Sequence, residues 1–366
     1  TRSSYLLFSK DSMITQYFDT SIKKWRQLFV GMGVLLIALF ALNISLGSVA
    51  IPLSSVIDFI LLRPPVDNSW HLIMAKFRLP KALTAILVGG GLGICGLQMQ
   101  TLFRNPMAGP FILGISSGSG LGVALVIFLG VEAGLLFELS GIARSWIMVC
   151  AAALGSFGVL LAIILASVRL KDSVTLLILG LMLGAASSAL ISVLQYFSQA
   201  TNIQAYMMWS FGSLGSLSWN ELMIFSVIII IGMIMSIGLS KSLNALLLGA
   251  SYAESMGVDL KIIRLLIIIN TSILAGTITA FCGPIAFFGL AMPHIARMLF
   301  NTTNHLLLTP LIILIGGILM LLFDTVSQLP GIEATLPINA VTALLGAPFV
   351  VYLLLRKRNI HYTFDK

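Results

Sequence analysis

Apolar runs of about twenty residues recur along most of this chain, separated by short polar breaks. Alternation at period two is nearly absent, which disfavours a membrane barrel. A helix satisfies its own backbone in lipid, and a short loop does not. The pattern predicts ten spans, over 28–49, 80–103, 109–130, 145–168, 174–197, 220–240, 262–282, 285–300, 308–326 and 338–355. The eighth is short and the turn before it is tight, so 262–300 is the weakest stretch. Between Asp172 and Glu221 no residue is charged, and "SQATNIQ" and "FGSLGSLSW" mark the turn there. The expected fold class is an all-α polytopic membrane protein with about ten transmembrane helices.

Composition agrees. The 366 residues are 58% hydrophobic and 9% charged, where a soluble domain carries roughly 25% charged residues. Mean hydropathy is +1.05. Residues 1–27 read as a polar extension rather than a signal peptide, 28–355 as the membrane domain, and 356–366 as a tail. Cys95, Cys150 and Cys282 lie far apart in apolar stretches and read as small buried hydrophobes.

Charge sets the orientation. With the N-terminus inside, 16 of the 21 Lys and Arg fall in cytoplasmic segments. The other five are Arg63, Lys76, Arg78, Lys81 and Arg144. That bias predicts both termini on the cytoplasmic side. Trp25, Trp70, Trp146 and Trp219 stand near span ends, as interfacial tryptophans do. The location expected is the bacterial inner membrane, crossed many times.

Catalytic chemistry is hard to find. No glycine precedes a lysine, so there is no P-loop. There is no HExxH motif, and the four histidines are scattered. Asp324 alone falls at a span end, which weakens proton or sodium coupling. Ser116, Ser117 and Ser119 in "GISSGSG" read as packing residues rather than nucleophiles. An ion-coupled secondary transporter is the competing class.

Four stretches carry a resemblance. They are "RLPKALTAILVGGGLGICGLQMQTLFRNPMAGPFILGISSGSGLG" (78–122), "LLLGASYAESMGV" (246–258), "GPIAFFGLAMPHIARML" (283–299) and "LPINAVTALLGAPFVVYLLLRKR" (336–358). In this order they resemble the FecCD-type permeases of ABC importers, over about residues 25–360. The resemblance implies a translocation pathway for a bulky iron chelate, with haem or cobalamin as alternatives. It implies a non-enzymatic chain without cofactors, pairing with a second permease subunit, in the simplest case an identical one. ATP and Mg then sit on two cytoplasmic ATPase subunits. A periplasmic or lipoprotein binding protein delivers the cargo, and no nucleic acid is involved.

The resemblance also assigns residues. Gly89, Gly93, Gly96, Gln98 and Gln100 on the second span match the pathway lining, although glycines there equally suit a static packed bundle. The cytoplasmic loop 241–261 matches the ATPase-coupling loop, through Gly249, Ala250, Ala253, Glu254 and Gly257. It reads as two short helices broken at Gly249, with Ala253 on the docking face. The family usually has an acid after the first glycine; here stands Ala250. Arg78 and Lys81 match the docking site for the binding protein. Asn105, Met107, Asp172 and Ser173 match the cytoplasmic gate.

Overall fold

A computed structural model describes residues 25–47, 49, 51–61, 63, 67–130, 141–169, 173–328 and 335–355. Among these there is no strand. The helices are α1 (Trp25–Ser45), α2 (Leu53–Ile60), α3 (Asn68–Ile73), α4 (Leu79–Leu102), α5 (Ile115–Leu125), α6 (Gly141–Arg169), α7 (Ser173–Tyr196), α8 (Ala200–Ser210), α9 (Trp219–Gly238), α10 (Ser240–Leu247), α11 (Ala250–Ser255), α12 (Leu260–Cys282), α13 (Phe288–Phe300), α14 (His305–Ser327) and α15 (Ile338–Leu355).

Among the described residues, seven apolar segments are long enough to cross a bilayer: Trp25–Ser45, Asn68–Leu102, Ser145–Ser167, Val174–Tyr196, Trp219–Gly238, Leu260–Cys282 and His305–Ser327. Ile115–Gly130 and Ile338–Tyr352 are shorter. The expected eighth span is also short. Helix α13 has 13 residues, about 20 Å of rise against a hydrocarbon core of about 30 Å. It starts after Phe287 in the left-handed region (φ 62°) and holds Pro293 inside.

The second span begins earlier than its apolar pattern indicates. Helix runs without a break from Asn68 through a π turn at Met74–Arg78 into α4. Pro80 explains the turn. Its ring cannot donate and would crowd the carbonyl four residues back; the wider turn there makes room. Lys76, Arg78 and Lys81 therefore stand on one helix, not in a loop. Helix α8 is a second departure, because it occupies the uncharged turn predicted around 198–219.

Helix α4 is the hub. Of its best membrane-length window 83% is buried, against 11% for α1 and 22% for α7. It packs on α9, α12, α13 and α14. The approach is close enough to need glycine. A Cβ on Gly89 would meet Gly316 O at 2.1 Å, and one on Gly96 would meet Gly289 O at 1.6 Å. The same device joins α5 to α6 at Gly118 and Gly155. Without side chains the backbones touch, which maximises dispersion contact where lipid offers no hydrophobic drive.

Candidate functional site

Two polar clusters lie at opposite ends of α4. One surrounds Asp324, which is 1% exposed. Lys81 Nζ lies 3.0 Å from Asp324 Oδ1. Asn43 Nδ2 and Gln328 Nε2 donate to Oδ2 at 3.0 and 2.8 Å. Nearby, Arg78 donates to Ile44 O (2.6 Å), Ser45 O (2.9 Å) and Val49 O. This clasp ties α1 and its following loop to α4 and α14. Arg78 and Lys81, expected to form a docking patch, engage partners within the chain here. Arg78 is buried, and both cations are already satisfied within the chain. An unpaired buried charge is costly in lipid, so each recruits internal partners. Asp324 falls at a span end as expected, and it is paired there.

The five residues matched to the pathway are also internal. Gly89, Gly93 and Gly96 carry helix crossings, and both glutamines are fully buried. Gln98 Nε2 donates to Ser236 Oγ (3.0 Å), while its Oε1 accepts from Asn270 Nδ2 (3.2 Å) and Thr271 Oγ1 (2.9 Å). Gln100 donates to Leu290 O at 3.1 Å and accepts from Arg297. All five are buried in the single chain, where they bind α4 to its neighbours.

The other end of α4 carries the turn around Asn105. Asn105 Oδ1 accepts from Met107 N at 2.9 Å. Arg104 adopts φ 46°, and His294 Nε2 donates to Pro106 O at 2.7 Å. Met107 is half-buried. Asp172 falls outside the described residues, and Ser173 is described only as the first residue of α7.

Beside this turn stand α10 and α11, divided at Gly249 (φ 111°). Gly257 (φ 82°) closes α11. Its N–H reaches Glu254 O at 2.9 Å and Val258 N reaches Ala253 O at 3.0 Å, a Schellman ending. Ala250 and Glu254 are exposed. Ala253 is 0% exposed, so its methyl packs inward, opposite to the outward face expected for it. The side chains that point out are Leu248, Tyr252 and Met256. Tyr252 and Met256, four apart, share one face of α11, and Leu248 ends α10 just before the break.

Sequence reasoning missed the Asp324 clasp and the Gln98 network. Their signal was present as isolated Asn43 and Asn270 within apolar runs, because a polar side chain in lipid requires a partner.

Residues 35–356 match the model of the FecCD transport family. The vitamin B12 import system permease protein BtuC of Salmonella typhi is 36% identical over 288 residues, covering 78% of this chain and 84% of that protein. The hemin transport system permease protein HmuU of Yersinia pestis is 34% identical over 293 residues, covering 80% and 85%. A chain solved in an inward-facing conformation, assigned to a metal-chelate type ABC transporter, superposes with a TM-score of 0.79. It is 31% identical, covering 90% of this chain and 99% of that one.

Proposed function

We propose, from the fact that this chain belongs to the FecCD transport family, that it forms the pathway by which a bulky metal chelate enters a bacterial cell. As an ABC importer permease of that family it is not itself the ATPase. Two ATPase subunits bind at the end carrying α10 and α11, and a binding protein delivers cargo at the Asp324 end. The permease pairs with a second copy of itself in the inner membrane. Its termini lie on the ATPase side, after ten crossings in which the short α5, α13 and α15 complete the seven long spans. The 241–261 loop belongs to the 28–355 permease domain, flanked by 1–27 and 356–366.

The exposed side chains of Leu248, Tyr252 and Met256 carry this reading. Exposed apolar side chains on a short helix pair suit a groove on another protein. Gly249, Ala250, Glu254 and Gly257 flank them. Asn105 and Met107 stand beside them at the gate, to which the family resemblance also assigns Asp172 and Ser173. Tyr252→Arg combined with Met256→Arg is expected to release the ATPase. Each lost anchor is worth about 2 kcal/mol, or about 30-fold in affinity. Co-purification of the ATPase measures this. Full retention would mean that the exposed apolar side chains rest on lipid.

A ferric siderophore is the expected cargo. The relatives named for vitamin B12 and hemin make cobalamin and haem its competitors. Family membership sets aside an ion-coupled carrier. Uptake of a ferric siderophore, haem and cobalamin into vesicles holding permease, ATPase and binding protein decides among the three. Uptake without ATP would sink the proposal.

A further inference from the structure

Asn244 lies on α10, within the loop proposed to bind the ATPase, and its half-buried side chain reaches the start of α14. Its Nδ2 donates to Asn304 Oδ1 at 2.8 Å. Asn304 Oδ1 also accepts Leu306 N at 3.0 Å, so it is an oxygen by its own cap. Asn244 must then present its Oδ1 to His305. There it accepts both His305 N–H and Nδ1, each at 2.8 Å. His305 N–H lies in the first turn of α14, where no helical carbonyl can serve it. Nδ1 therefore carries the proton. The other ring nitrogen, Nε2, accepts from Thr101 Oγ1 at 2.9 Å, in competition with Leu97 O at the same distance from that hydroxyl.

Thr101 sits in the last turn of α4. Its carbonyl accepts Arg104 N at 3.3 Å, and Gln100 O accepts Asn105 N at 3.1 Å. The Asn105–Met107 turn thus hangs directly from the turn that His305 holds. His305 and Thr101 are 1% and 2% exposed. A buried hydrogen bond resists opening, because the separated groups find no water. Apolar contacts alone would let α10 slide past α4. This chain of bonds makes them move together.

We infer that His305 is a positioning residue that transmits displacement of α10 to the Asn105–Met107 turn, through Asn244 on one side and Thr101 on the other. The inference rests on the reading of α10 and α11 as the ATPase-binding loop. The Thr101 bond lies in series with the two Asn244–His305 bonds, so breaking it disconnects the turn.

Three variants test this. In His305→Asn the amide nitrogen replaces Nδ1 and the Thr101 bond is lost. In His305→Gln the amide reaches Thr101 and the Nδ1 bond to Asn244 is lost, while the backbone N–H still donates to Asn244. Thr101→Val removes only the hydroxyl and keeps the shape, so the test survives should either His305 variant fail to fold. Each is made in a Met107→Cys background and purified with its ATPase. The readout is the ATP-dependent change in maleimide reactivity at position 107, with ATP hydrolysis measured in the same sample. Background from the native cysteines is subtracted using protein without Met107→Cys. All three are expected to bind the ATPase and hydrolyse ATP; His305→Asn and Thr101→Val lose about tenfold of the reactivity change, while His305→Gln, which keeps a tie on each side, loses less. A purely local role at the α14 terminus predicts that His305→Asn and Thr101→Val respond like the parent. Parental response in either variant overturns the relay while leaving the docking reading intact. Failure of the parent itself to bind the ATPase, or to respond to ATP, sinks the docking reading and the relay with it.

Discussion

Gly96→Ala is expected to abolish a stable bundle, although it adds a single methyl. That methyl would stand 1.6 Å from Gly289 O, a backbone atom of the loop-proximal helix α13. No rotamer change relieves such a contact. Two helices must separate, and the neighbouring contact of Gly93 with Ile312 and Met292 opens with them. Overpacking in a filled core costs roughly 1–3 kcal/mol where side chains give way. Here backbone must move, so a loss above about 3 kcal/mol is expected. Gly158→Ala is the control, since nothing lies within 4 Å of its added Cβ. On the exposed face of α6 alanine should stabilise the helix, by up to about 1 kcal/mol. Thermal unfolding of the detergent-purified chain, followed by size exclusion, measures both. A Gly96→Ala protein melting with the parent would mean that α4 and α13 pack less closely than described.

The second large effect concerns the clasp. Lys81→Met leaves Asp324 buried with two amide donors and no cation. Removing one partner of a buried pair costs about 3–5 kcal/mol, most of it the stranded charge. Adding Asp324→Asn removes that charge while retaining an acceptor for Asn43 and Gln328. The double variant is therefore expected to recover more than half of the lost stability. The melting temperature again reports it. A double variant less stable than Lys81→Met alone would assign the loss to packing of the lysine stem rather than to charge. In either variant a change in binding-protein affinity without a change in stability would restore Lys81 to the docking surface.

Much of this architecture is legible in the order of residues. Lipid accepts only segments that satisfy their own backbone, so run length and apolarity announce the long helices. Gly249 and Gly257 announce the breaks around α11, because a positive φ strongly favours glycine. The absence of any Gly-Lys pair removes nucleotide chemistry of the P-loop kind. The family motifs are strings of neighbouring residues, and they survive in sequence for that reason.

Direction was decided elsewhere. Ala253 sits on α11 as expected, but only packing turns its methyl inward and leaves Tyr252 and Met256 outside. The glycines of α4 promised close approach. Which backbone approaches, Gly316 or Gly289, depends on helices some two hundred residues away. Arg78 and Lys81 resembled a surface patch because hydropathy stops at Pro80, whereas a π turn carries the helix past it to Asn68. Their partners Ile44, Ser45 and Asp324 lie far along the chain. Local sequence determines which segments become helices, since that depends on backbone satisfaction within about one turn. Pairing of charges and amides depends on distances set by the whole bundle, and those exist only after the helices have packed.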